Sequence, residues 1–193
     1  MKKKILAVIA TLSLIVLSAC SSQGKAKNQS DNNGQPRTEQ KQEAQSPQIN
    51  WTKPSEDKPY PKITPNSGRY LRVSIAQQRV FVMSHDNNVL YTMYASTGKN
   101  DSTPKGSFQI QPEHGNFFYN QSSGEGAKYW TSFKDHGIYL FHTVPTDEYG
   151  RFIKSEARQL GKEANSHGCV RLSIPDAKWI NRAVPVGTKV IIS

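Results

Sequence analysis

One short run holds most of the residues able to do chemistry: Ser166-His167-Gly168-Cys169-Val170-Arg171. A cysteine thiolate is a strong nucleophile, but it forms at neutral pH only beside a base and a positive field. His167 and Arg171 lie within the run. A third supplier, His142, closes the apolar segment Tyr139-Leu140-Phe141-His142-Thr143. Gly168 admits a positive φ and a close approach of ligand to backbone. The N–H groups around Gly168 and Cys169 are thus candidates to face a developing oxyanion, as acyl transfer requires. Two other uses of these residues stay open. His142, His167 and Cys169 are acceptable zinc ligands, although a structural site needs a fourth and no Cys-x-x-Cys or His-x-x-x-His pair accompanies them. Cys169 can also be an inert buried thiol, although its polar and glycine neighbours do not read as a core strand.

Cysteine usage favours chemistry. The chain has two cysteines, Cys20 and Cys169. Lys2, Lys3 and Lys4 precede an apolar run from Ile5 to Leu17. That run is shorter than the roughly 20 residues of a membrane span and reads as a signal peptide. Leu17-Ser18-Ala19-Cys20 looks like a lipobox, so residues 1–19 are expected to be removed and Cys20 to carry lipid. The alternative is an ordinary signal peptide cleaved near Ala19. With Cys20 lipidated, Cys169 is a lone thiol in an exported protein, with no intramolecular disulfide partner.

The positioning elements lie downstream of a polar stretch. Hydrophobic residues make up 35% of the 193 residues, and the deficit is concentrated between Ser21 and about Lys62. That stretch offers little apolar surface to offset chain entropy, so residues 20–62 are expected to form a disordered tether with its end stiffened by Pro54, Pro59 and Pro61. Trp51 and Tyr60 are expected to play no part in the fold. Residues 63–193 suffice for one domain. Alternation in Tyr70–Ile75, Arg79–Ser84 and Val89–Ser96 reads as strands, and Ser107–Gln111, Tyr129–Phe133, Ile138–Thr143 and Thr188–Ile192 as further ones. Thr103-Pro104-Lys105-Gly106 is a turn, and Gly115 to Gly126 a glycine-rich loop. Helical patterns cover Ile153–Leu160, stopped by Gly161, and a stretch capped by Ser173 with Asp176 at its third position. The expected fold is mostly β, a sandwich or barrel-like domain with one or two short helices.

The precursor carries a formal charge of +10, and residues 63–193 hold 15 basic and 10 acidic side chains. Outside the membrane, nucleic acid is an unsuitable partner; anionic wall polymers or lipid headgroups would feel this charge, and solubility alone also explains it. His85, His114 and His136 read as surface residues. Tyr129 and Trp130 read equally as cleft walls or core. No Asp or Glu adjoins either chemical motif; Asp147 and Glu148 are the nearest to follow His142.

Ser-His-Gly-Cys-Val-Arg, with a histidine at the end of an earlier strand, resembles the signature of the L,D-transpeptidase (YkuD-like) family. Leu71-Arg72-Val73-Ser74, Gln78-Arg79-Val80-Phe81-Val82 and Ser96-Thr97-Gly98…Thr103-Pro104-Lys105-Gly106-Ser107-Phe108 match in order, and the likeness runs from Tyr70 to Ile192. The resemblance implies Cys169 as nucleophile, His142 as general base and the Thr143 carbonyl as the group orienting that imidazole. Ser166, His167, Gly168 and Arg171 would line the substrate pocket, with an oxyanion hole of backbone amides near Cys169. No metal or cofactor is implied. Two departures stand out: a long, charged stretch from Thr143 to Asn165, suited to a lid, and Arg171 where many members have Asn. The implied reaction joins peptidoglycan stem peptides by 3→3 cross-links through a Cys169 thioester, with carbapenem-type β-lactams as inhibitors. An L,D-carboxypeptidase of the same fold, a sortase-like enzyme and an inactive wall-binding lipoprotein are the rivals.

Overall fold

The computed structural model describes residues 49–193. The expected signal peptide, Cys20 and the tether as far as residue 48 lie outside the described residues. Strands β1 (Tyr70–Ser74), β2 (Arg79–Met83) and β3 (Val89–Ser96) form an antiparallel meander. Their alternation works as the sequence predicts: Leu71, Val73, Val80, Val82, Tyr91, Met93 and Ala95 are all buried. Asn87 turns the chain between β2 and β3 at φ 63°, which asparagine tolerates well.

Six more strands complete the sheet. β9 (Lys189–Ile192) lies parallel to β1, and β4 (Gly106–Gln109) covers β9. On the other flank β3 meets β8 (Val170–Leu172), which runs parallel to β7 (Tyr139–Thr143). β6 (Glu125–Lys134) and β5 (His114–Asn120) follow antiparallel. The order is β4-β9-β1-β2-β3-β8-β7-β6-β5. The fold is mostly β, as expected, but it is one curled nine-stranded sheet with free edges at β4 and β5, rather than a closed barrel.

Two helices accompany the sheet. Helix α1 (Lys154–Ala157) is a single turn, shorter than the expected Ile153–Leu160. Beyond Ala157 the chain tightens into i→i−3 turns, the Gln159 N–H bonding to the Glu156 carbonyl at 3.1 Å and the Leu160 N–H to the Ala157 carbonyl at 3.3 Å. Helix α2 (Ile174–Ala183) starts as predicted: Ser173 Oγ accepts the Asp176 N–H at 3.2 Å, and Pro175 sits in the first turn. It packs on β6 and β7 and buries Ala177 and Ile180 in the main core.

Three expectations need correction. The glycine-rich loop from Gly115 to Gly126 is the β5–β6 hairpin, turned at Asn120–Gly124. Its glycines allow close packing within strands: a Cβ on Gly115 would stand 2.6 Å from Trp130 Nε1, and one on Gly126 2.6 Å from the Phe118 carbonyl. The stretch from Thr143 to Asn165 is not a free lid. Thr146 bridges Gly126 and Phe152, and Val144, Ala157 and Leu160 form a second small core with Ile49, Trp51, Tyr94 and Phe152.

The third correction concerns residues 49–62, which were assigned to the tether but pack on the domain. Tyr60 stacks on Trp179 at 5.1 Å and donates a 2.7 Å hydrogen bond to Asp176. Ser55 donates to the same carboxylate, Glu56 accepts the Thr92 N–H, and Trp51 packs on Phe152 at 5.3 Å. Asp176 is fully buried, and burial raises its pKa despite the hydroxyls around it. Those hydroxyls offset the cost of its charge. Tyr60→Phe is therefore expected to lower unfolding free energy by about 1.5–3 kcal/mol, the usual range for a hydrogen bond to a charged group. A chain starting at Ile63 should lose more, because Trp179 and Tyr91 are then uncovered. Urea unfolding of the three chains checks this; equal midpoints would mean that the segment merely rests on the surface.

Candidate active site

The parallel pairing of β7 with β8 builds the site. Its register sets Phe141 beside Val170 and His142 beside Arg171, so the end of one strand and the residue preceding the other open into a common cleft. That cleft measures about 420 Å³ and is lined by Cys169, His142, Ser166, His167, Gly168 and Arg171, with Phe118, Trp130 and Tyr139 as walls. Every catalytic or pocket residue named from the sequence therefore meets at one place except Thr143, which is buried and does not line the cleft. Trp130 is a cleft wall; Tyr129 packs at the edge of the main core.

His142 is almost wholly buried, and its Nδ1 lies 2.6 Å from the Thr143 carbonyl oxygen. A carbonyl only accepts, so Nδ1 carries the proton and Nε2 keeps a lone pair. Phe118 meets the ring edge-on at 5.7 Å. Burial lowers the pKa to about 4; the Thr143 carbonyl opposes this and the Arg171 charge adds to it. The imidazole is thus neutral at pH 7 and able to accept a proton.

Cys169 is a free, half-buried cysteine whose Sγ lies 3.6 Å from the Ile138 carbonyl. Burial pushes the thiol up to about 11, outweighing the Leu140 amide and the Arg171 guanidinium, which favour the thiolate. The resting pair is therefore neutral thiol and neutral imidazole. Gly168 precedes it at φ +139°, and a Cβ there would come within 3.0 Å of Tyr139 Cε1 and 3.1 Å of the Ser102 carbonyl. Only glycine fits. Ser166 Oγ accepts the Gly168 N–H at 3.1 Å and donates to the Cys169 carbonyl at 2.6 Å, closing the loop on itself.

No local signal in the sequence points to the partners of Arg171. Its guanidinium is 2% exposed and holds Glu125 at 2.7 Å and Glu156 at 2.8 Å. Arg171 borders the cleft, yet the two carboxylates hold its Nη1 and Nη2, while its buried Nε has no hydrogen-bond partner among the described residues, so its charge reaches the site through space. Glu125 lies 46 residues from Arg171 and Glu156 lies 15 away. No local spacing rule connects them; only the parity of a strand that was read as a loop would have pointed to Glu125. His167 is largely exposed at the rim, 3.8 Å from Glu125. Among the described residues no cluster of three or more His, Cys, Asp or Glu is arranged to hold a metal ion.

Comparison with known proteins agrees with this geometry. Residues 68–192 match the family model YkuD, the L,D-transpeptidase catalytic domain. YciB of Bacillus subtilis (strain 168), named as a candidate L,D-transpeptidase, is 39% identical over 199 residues, covering 100% of both chains. YqjB from the same organism, similarly named, is 28% identical over 121 residues, 56% of this chain and 62% of its own. An L,D-transpeptidase from Mycobacterium tuberculosis H37Rv superposes with a TM-score of 0.52 at 26% identity, over 65% of this chain and 57% of that one. The fold is also that of LdtMt1, an LD transpeptidase in complex with imipenem: TM-score 0.53 and 24% identity, over 65% of this chain and 59% of that one. This chain therefore spans a little under three fifths of the solved structures it resembles, and nearly its whole described part is the shared domain. The chain belongs to the L,D-transpeptidase catalytic-domain family.

Proposed function

We propose that this protein is a cysteine-dependent L,D-transpeptidase that forms 3→3 cross-links between peptidoglycan stem peptides. The observation that carries the reading is the pairing, in one cleft, of the Cys169 thiol with an imidazole whose Nδ1 proton is committed to the Thr143 carbonyl. That leaves Nε2 as the base. The donor is a tetrapeptide stem. As Sγ attacks the carbonyl of its third residue, an L-centred diamino acid, the thiol proton passes to His142 and the carbonyl π pair moves to oxygen. Collapse of the tetrahedral adduct breaks the bond to the terminal D-Ala, whose amine takes the proton back from His142. The side-chain amine of a second stem then attacks the thioester and releases Cys169. No metal or cofactor is needed.

A thiol so activated should also open a strained β-lactam, and carbapenems are the proposed inhibitors; the imipenem complex of LdtMt1 is consistent with this. The protein is proposed to act outside the cell membrane. Cys20, after Leu17-Ser18-Ala19, would carry the lipid, and the polar residues after it would reach towards the wall. Cys20→Ala should release the protein from membranes while the domain stays active. Fractionation and mass spectrometry of the mature N-terminus check this, and a lipid-free native N-terminus would refute the anchor.

The nucleophile is tested by Cys169→Ser. A serine hydroxyl is far less acidic than a thiol, and His142 has a carbonyl rather than a carboxylate behind it. The variant should fold, yet cross-link at least about a thousandfold more slowly, roughly 4 kcal/mol of barrier. Near-normal turnover on the same tetrapeptide would exclude sulfur as the essential group.

The base is tested by pH. His142 accepts a proton only when neutral, and its pKa lies near 4 rather than the usual 6.5. The rate of Cys169 acylation should hold steady from pH 8 down to about 5 and fall through about 4. His142→Ala should lower that plateau by about tenfold to a hundredfold. A midpoint near 6.5 in the wild-type protein would assign the limiting proton transfer elsewhere, with exposed His167 the first suspect.

A further inference from the structure

The turn Thr103-Pro104-Lys105-Gly106 lies far upstream of Cys169, and nothing in the reaction as described uses it. Thr103 is nevertheless 1% exposed, and its hydroxyl is engaged on both sides. The Gly98 N–H donates to Thr103 Oγ1 at 2.7 Å, and Thr103 Oγ1 donates to the Gly168 carbonyl at 2.9 Å. The hydroxyl proton thus has a fixed destination. The contact is close-packed: a Cβ on Gly98 would stand 2.8 Å from Gly168 Cα and 2.9 Å from Gly168 N. Two backbone bonds brace it, Ser166 N–H to the Thr97 carbonyl at 3.0 Å and Lys99 N–H to the Ser166 carbonyl at 2.9 Å.

The consequence follows from peptide geometry. The Gly168–Cys169 bond is trans, and in a planar trans peptide the N–H points opposite to the C=O. Fixing the Gly168 carbonyl against Thr103 therefore fixes the direction of the Cys169 N–H. Of the two amides beside the nucleophile, the Gly168 N–H is already engaged by Ser166 Oγ. Among the described residues, the Cys169 N–H makes no hydrogen bond. It belongs to the same residue as the attacking sulfur and to the wall of the same cleft.

We infer that Thr103 is a positioning residue for the oxyanion hole: its hydroxyl holds the Gly168 carbonyl so that the Cys169 N–H stays aimed at the oxygen that becomes negative during acylation. The inference rests on Cys169 being the nucleophile. A preorganised donor costs no reorientation when charge develops, and that is the source of its effect. Thr103 touches no substrate; it acts through one peptide plane.

Two reactions of the same thiol separate this role from simple support of the fold. Acylation by a tetrapeptide or a carbapenem builds negative charge on an oxygen and needs the hole. Alkylation by iodoacetamide displaces iodide at a saturated carbon, forms no oxyanion and does not need it. Both are followed by intact-protein mass spectrometry on Cys169. Thr103→Val keeps shape and removes the hydroxyl, while Thr103→Ser keeps the hydroxyl. In the valine variant the ratio of acylation to alkylation rate should fall by about tenfold to a hundredfold, less than the 10²–10³ typical when a hole donor is lost outright. The serine variant should recover the ratio to within about threefold. Should the valine variant not fold, as judged by circular dichroism, Thr103→Ala is read in its place. An unchanged ratio, or acylation and alkylation falling together, overturns the inference and leaves Thr103 a structural residue. Failure of the underlying reading looks different: the wild-type protein itself would form no acyl adduct on Cys169.

Discussion

The structure turns on one buried cation. Arg171 sits in the shortest strand of the sheet, 2% exposed, two residues beyond Cys169 and in register with His142. A guanidinium cannot stay in such a place unpaired; breaking a buried ion pair typically costs about 3–5 kcal/mol because a charge is left without partners. Its two carboxylates come from different parts of the chain. Glu125 opens β6 at the hairpin turn, and Glu156 lies in the one-turn helix α1. Meeting Arg171 therefore fixes the β5–β6 hairpin over the cleft and pins the 143–165 stretch to the sheet. The same charge favours neutral His142 and ionised Cys169, so one side chain serves both packing and chemistry.

That charge does not make the resting pair ionic. Burial dominates both groups, holding the imidazole near 4 and the thiol near 11. At rest the cleft holds a neutral thiol and a neutral imidazole. Burial protects such a thiol. A thiol held protonated is a poor target for oxidants and stray electrophiles, since reactivity follows the thiolate.

The local parts of this arrangement were legible in the sequence. Alternation identified β1, β2 and β3, and Ser173 with Asp176 marked the start of α2, because each depends on neighbours within a few residues. The chemical run at 166–171 and the strand ending at His142 were legible for the same reason. What stayed hidden is non-local. Gly115 and Gly126 carry no side chain to reveal alternation, so a strand looked like a loop. Trp51 and Tyr60 stand in polar, proline-rich surroundings, and only residues about a hundred positions on make them part of the packed domain: Phe152 and the small second core for Trp51, Asp176 and Trp179 of α2 for Tyr60. Glu125 and Glu156 resembled ordinary surface carboxylates until β8 brought Arg171 between them.

The remaining constraint joins two motifs that lie far apart in the chain. Gly98 and Thr103 follow β3, whereas Ser166, Gly168 and Cys169 precede β8, and β3 pairs with β8 through Ala95–Leu172 and Ser96–Arg171. Before that pairing exists, Gly168 has no Thr103 to bind and the loop before β8 lacks its long-range support. Once it exists, a Cβ on Gly98 would stand 2.8 Å from Gly168 Cα, and one on Gly168 would press on Tyr139 and the Ser102 carbonyl. The order of the loop is thus a product of the completed sheet and not of the run Ser-His-Gly-Cys alone. Contacts of this sequence separation bear their loop-closure entropy before they return any stabilisation. A short peptide carrying residues 166–171 would possess every side chain of that loop, but without Thr103 it would have nothing to hold the Gly168–Cys169 peptide plane.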